Sequence, residues 1–126
     1  MMTKIYTLVN QKGGVGKTTT AINMGAYLAQ FGQRVLLIDL DPQANATSSL
    51  GINKYTVKNG TYDVLIGSLP ISPSILHNPK LKISLLPSSP ALAGAEVELI
   101  DLEEREFKLR QAIKPVIDRF DYILID

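Results

Sequence analysis

The sequence predicts an α/β domain, a mostly parallel sheet flanked by helices. Three observations carry that expectation. A short β-rich run, Ile5–Val9, leads into a glycine-rich stretch and then into a helical pattern. Two later runs, Val35–Ile38 and Tyr122–Ile125, are continuously apolar, as strands buried on both faces are, and each ends in an acid, Asp39 or Asp126. The order strand, helix, strand, long excursion, strand, helix, strand is that of parallel strands joined by crossovers.

After the first strand comes NQKGGVGKTTT, Asn10–Thr20, with three glycines, two lysines and three threonines. Glycines in such a loop let backbone N–H groups point inward at phosphate oxygens, and the N-terminus of the next helix adds partial positive charge. Gly13, Gly14, Val15, Gly16, Lys17, Thr18 and Thr19 would then line a phosphate cradle. Lys17 would reach the β- and γ-phosphates, and the Thr18 hydroxyl would ligate Mg²⁺. The helix itself is read over Ala21–Gln30, with Ile22, Gly25, Leu28 and Ala29 on one side. The strict P-loop pattern fails at its first position, where Gln11 replaces glycine, and a second lysine, Lys12, stands beside it. One lysine suffices as the local clamp on a triphosphate, which leaves the other free to project elsewhere.

The second strand closes on Asp39, Leu40, Asp41, Pro42 and Gln43. Carboxylates at the carboxyl end of a parallel strand face the crevice where ligands bind, and residues two apart on extended chain share a side. One of Asp39 and Asp41 can orient a magnesium shell while the other positions or deprotonates the attacking water. The last strand, closed by Asp126, has the Walker B form, four apolar positions and then a carboxylate that holds Mg²⁺ through water. A domain halting on that acid would lack a switch loop after it. Residues 1–126 are therefore expected to be the N-terminal part of a single P-loop ATPase domain, truncated after the Walker B strand.

Between these motifs, Asn45–Leu50, with Ala44 before it, reads as a switch segment passing into a short helix, and 52–60 as a polar loop. Thr61 is expected to cap a short helix through Ile66. Residues 69–80, with three prolines and His77, read as an irregular connection; a lone imidazole in a chain without cysteine is expected in a surface or loop role. Ile83–Leu86 is a further strand. Residues 91–120 read as mostly helical, with Leu92, Leu99 and Leu102 on one face and Leu109, Ile113, Val116, Ile117 and Phe120 on another. Six acids between Glu96 and Glu106 mark a solvated face, and Pro115 should kink the last helix or start a new turn.

At 45% apolar residues the chain can build a core. Its formal charge of +1, with 13 basic against 12 acidic residues, leaves no footprint of a nucleic-acid surface in this segment. The chain has no cysteine, hence no disulfide framework. With no signal peptide and no apolar run of membrane length, the expected location is cytoplasmic.

KGGVGKTT is the deviant Walker A motif, and with DLDPQANATSSLG it resembles the ParA/Soj branch of the ParA and MinD superfamily of ATPases. The resemblance covers nearly the whole chain and is densest over 5–51 and 121–126. It implies ATP and Mg²⁺ as ligands, with Thr18, Asp39 and Asp126 near the metal and Asp41 on the attacking water. It implies that Lys12 reaches across a homodimer to the partner's nucleotide, so that Lys12, Lys17 and Asp41 carry catalysis. A ParB-like protein would stimulate hydrolysis, and nonspecific DNA would bind through a C-terminal half beyond Asp126, giving a nucleoid-associated protein in chromosome or plasmid partitioning. Two alternatives remain: a MinD-like membrane-positioning ATPase, told apart by an amphipathic basic helix at the true C-terminus, and, for the segment by itself, a nucleotide-binding module without turnover.

Overall fold

The computed structural model describes residues 2–8, 15–67, 69–92 and 102–126. Their strands are β1 (Lys4–Thr7), β2 (Val35–Ile38), β3 (Leu76–Asn78), β4 (Ile83–Leu86) and β5 (Tyr122–Ile125). They form one sheet in the order β1-β5-β2-β4-β3. All neighbours pair parallel except β3, which runs antiparallel to β4 at the edge. The register aligns the carboxyl ends: Thr7 opposes Ile125, Ile125 opposes Ile38, and Ile38 opposes Leu86. The segments leaving the parallel strands therefore emerge along one rim.

Side chains alternate across the sheet, so each apolar strand feeds two cores. Leu36, Ile38, Leu86, Ile123 and Ile125 pack on one side with Val64, Leu65, Leu109, Ile113, Val116 and Phe120. Val35, Leu37, Ile83, Leu85 and Leu124 pack on the other with Ala21, Ala29 and Ala46. Each fully buried Leu or Ile contributes about 1.5–3 kcal/mol of burial free energy, which fixes the register of these short strands.

Helix α1 (Val15–Gln30) covers the second face, with α2 (Asn45–Ser49) beside it. The expected helix started at Ala21; the observed one starts at Val15 and takes Gly16, Lys17 and Thr18 into its first turn. The glycines masked the start in the sequence, because they read as loop. Gly25 faces the sheet, with Val35, Ile83 and Leu124 around the place a Cβ would occupy. The helix ends in a Schellman arrangement at Gly32, whose φ is 81°. The Gln33 N–H donates to Leu28 O and the Gly32 N–H to Ala29 O.

The other face carries α3 (Thr61–Leu65) and α4 (Leu102–Ile113), and a 3₁₀ stretch, Lys114–Arg119, continues from α4. Pro115 falls in the first turn of that stretch, so the new turn expected there is present. Leu99 and the other residues of 93–101 lie outside the described residues, as do Lys12, Gly13, Gly14 and Val9. Two expectations are corrected. Residues 69–80 are more ordered than read: they hold a 3₁₀ turn, Ser72–Ser74, and strand β3 with His77 at its centre. Thr61 does not cap α3; Gly60 precedes the helix, and its N–H donates to Asp63 Oδ2 at 3.1 Å.

Candidate nucleotide and metal site

The rim of the parallel strands gathers the chemistry. The ladder runs one residue beyond each strand: Leu8 N–H donates to Ile125 O, Asp126 N–H to Ile38 O, and Asp39 N–H to Leu86 O, at 2.9, 2.9 and 3.1 Å. Leu8, Asp126 and Asp39 therefore stand in a row, with the first turn of α1 above them.

Lys17 and Thr18 converge on Asp126. The Thr18 hydroxyl donates to Asp126 Oδ2 at 2.9 Å, and Lys17 Nζ lies 3.1 Å from Oδ1. The Asp126 side chain is fully buried, whereas Lys17 keeps 17% of its side chain exposed. Oδ1 accepts no well-directed hydrogen bond; the Lys17 contact is one of charge and distance. A buried carboxylate beside a threonine hydroxyl is the kind of oxygen donor set that a hard cation takes. Among the described residues no three His, Cys, Asp or Glu side chains gather as a cage. Magnesium takes one or two protein oxygens and completes its shell with water and phosphate. The N–H groups at the start of α1 have no partner within the helix, so this end also favours an anion.

Asp39 behaves differently from the expectation that it shares the crevice with Asp41. It is fully buried, and its carboxylate turns toward α2. Oδ2 accepts from Thr47 N–H at 2.9 Å and Thr47 Oγ1 at 2.7 Å, and Oδ1 accepts from Asp41 N–H at 3.0 Å. Burial pushes its pKa up to about 6; the hydrogen bonds from Thr47 and Asp41 hold it down, and the nearby Asp126 adds to the rise. With both oxygens engaged inside the protein, Asp39 anchors the adjoining segment, Leu40–Thr47.

Asp41 sits outside that anchor and is partly exposed. Its Oδ1 accepts from Gln43 N–H at 3.0 Å and its Oδ2 from Asn45 Nδ2 at 2.7 Å. Those bonds aim the carboxylate at the start of α2, where Ala44 adopts φ 57° to turn the chain. Three residues that sequence reasoning did not assign to the site complete it. Thr61 Oγ1 donates to Asp39 O at 2.9 Å, Ser88 Oγ donates to Asp41 O at 2.7 Å, and Ser88 N–H donates to Thr47 Oγ1 at 2.9 Å. Pro87-Ser88-Ser89 carries only the signal of a turn, so nothing in it pointed to Asp41.

A family model described as an AAA domain matches residues 3–126. The chain is 48% identical over 124 residues to the chromosome partitioning protein ParA of Myxococcus xanthus, covering 98% of this chain and 44% of that one. It is 46% identical over 125 residues to the chromosome-partitioning ATPase Soj of Treponema pallidum, covering 99% and 48%. A crystal structure of a cobyrinic acid a,c-diamide synthase from Mycobacterium smegmatis, with bound ADP and magnesium, superposes with a TM-score of 0.92 at 40% identity. That match covers 99% of this chain and 51% of the other. The chain thus spans about half the length of the relatives it matches, and each name belongs to the relative that carries it.

Proposed function

The chain belongs to the AAA-domain family and is of its ParA/Soj type, and we propose that it is the nucleotide-binding N-terminal part of an ATP-driven partition switch. The observation that carries this reading is the meeting of Lys17, Thr18 and Asp126 at the carboxyl rim, with a buried carboxylate oxygen left to a cation. The ADP and magnesium in a structural relative support the same ligands here.

In this reading the first turn of α1 and Gly16 hold the phosphates by their N–H groups, and Lys17 moves from Asp126 to the β- and γ-phosphates. Thr18 and Asp126 hold Mg²⁺, which when bound neutralises charge on the transferring phosphoryl group. Asp41 orients the attacking water. Lys12, Gly13, Gly14 and Thr19 complete the cradle, and Lys12 reaches the nucleotide of a second copy in an ATP-dependent homodimer. The dimer then engages nonspecific DNA through a C-terminal half, and a ParB-like protein triggers hydrolysis that releases it. Nucleotide state would set loop order, as in other γ-phosphate switches. The working location is the nucleoid; among the described residues no helix is long and apolar enough to cross a membrane.

The test is ATP hydrolysis by the chain, together with its mass in solution with and without MgATP. Turnover that depends on Mg²⁺, with a dimer formed only with ATP, supports the reading. MgATP binding without turnover would favour the second reading, a nucleotide-binding module. No binding at all would overturn both.

A further inference from the structure

Four residues close a ring of hydrogen bonds at the rim. Asp41 N–H donates to Asp39 Oδ1 at 3.0 Å, and Asp39 Oδ2 accepts from Thr47 Oγ1 at 2.7 Å. The same Thr47 oxygen accepts from Ser88 N–H at 2.9 Å, and Ser88 Oγ returns to Asp41 O at 2.7 Å. Asp39, Thr47 and Ser88 are fully buried. Ser88 comes from the turn after β4, 41 residues from Thr47 and 47 from Asp41, so the ring ties two separate segments together.

The ring converges on the main chain of one residue. Asp41 is held at its N–H by Asp39 and at its carbonyl by Ser88 and by Ala44 N–H at 2.8 Å. Its side chain is then directed by Gln43 and Asn45. A buried polar ring of this kind fixes geometry more than it adds stability, since apolar packing would fill the same space at less desolvation cost. Catalytic groups must be held to within a fraction of an ångström of their working position, and supporting hydrogen bonds provide that.

We propose that Ser88 and Thr47 are positioning residues for Asp41, which set where its carboxylate stands relative to the attacking water. The proposal rests on the assignment of Asp41 to that water.

The experiment compares the chain with its Ser88→Ala, Thr47→Val and Thr47→Ser variants in ATP hydrolysis, with thermal midpoints measured in parallel. The expected result is a kcat lowered about tenfold or more in Ser88→Ala and Thr47→Val, with KM within about twofold, as for a small misplacement of a catalytic group. Thr47→Ser keeps the hydroxyl and should restore kcat. Unchanged kcat in Ser88→Ala would overturn the proposal, as would a loss that tracks the thermal midpoint and is not rescued by serine. If the unsubstituted chain binds MgATP without turning it over, the hydrolysis reading is what fails, and amide exchange then judges the ring. Ser88 and Asp41 amides protected in the chain and in Thr47→Ser but released in Thr47→Val support it; amides equally protected in all three overturn it.

Discussion

The hydroxyl of Thr18 donates to the carboxylate of Asp126 across 108 residues of chain, at 2.9 Å. One residue stands in the first turn of α1 and the other just past the end of β5, so this bond joins the two halves of the cradle. Lys17 holds the other oxygen of the same carboxylate.

Removing Lys17 alone leaves a buried carboxylate oxygen with no opposite charge. Lys17→Ala should therefore destabilise the nucleotide-free chain by roughly 2 kcal/mol, below the usual cost of breaking a buried pair because Lys17 is partly exposed. Adding Asp126→Asn should recover most of that loss. Urea denaturation of the single and double variants measures it; additive losses would show that the pair is not coupled.

Asp41→Ala should retain MgATP and form the dimer without turnover, because the acid touches neither Lys17 nor Thr18 and its hydrogen bonds run to Gln43 and Asn45. Single-turnover hydrolysis beside equilibrium nucleotide binding separates the two effects. Hydrolysis at the unsubstituted rate would remove Asp41 from the reaction.

Two glycines should respond oppositely to alanine. A Cβ on Gly60 would lie 2.6 Å from Pro87 O and 3.0 Å from Val57 Cγ1, so Gly60→Ala must move the segment that carries Ser88, at a cost of about 1–3 kcal/mol. A Cβ on Gly25 meets only side chains at 3.5–3.7 Å, ordinary contact distances. Gly25→Ala should stabilise α1 by about 0.5–1 kcal/mol through backbone entropy. Denaturation midpoints of both variants, read by circular dichroism, decide it.

Arg34 and Asp121 join the amino ends of β2 and β5. The guanidinium Nη2 lies 3.0 Å from Asp121 Oδ1, and Oδ2 also accepts Arg34 N–H at 2.7 Å. The hydrogen bonds from Arg34 lower the Asp121 pKa, and the pairing with Asp121 raises that of Arg34. A carboxylate with a depressed folded-state pKa contributes its stability fully above its unfolded value, near 4, and loses it as pH falls through the folded value. Asp121→Asn should accordingly lower the thermal midpoint at pH 7 slightly and make no difference well below pH 4. A larger deficit at low pH than at neutral pH would reverse the assigned sign.

Long-range order in the sheet was legible where one physical signal dominates. Val35–Ile38, Ile83–Leu86 and Tyr122–Ile125 are mostly apolar and mostly buried, and each forms a strand with the bounds its composition implies. Strand β3 was not legible, because Leu76-His77-Asn78 lies at an edge and carries no burial pattern. At the site, the glycine-lysine-threonine run and the terminal acid marked Lys17, Thr18 and Asp126, which meet. The direction of the Asp39 carboxylate could not be read, since it depends on Thr47 after a turn at positive φ and on a β4 segment distant in sequence. Alternation places side chains on extended backbone, and the chain leaves that geometry at Asp39.

The most direct test of the account is a titration of the chain with ATP, with Mg²⁺ and with EDTA, beside the same titrations of Lys17→Ala and Asp126→Asn. Binding should strengthen with Mg²⁺ in the unsubstituted chain, be lost in Lys17→Ala, and lose its Mg²⁺ dependence in Asp126→Asn. ATP affinity that is indifferent to Mg²⁺, or retained in Lys17→Ala, would contradict the account.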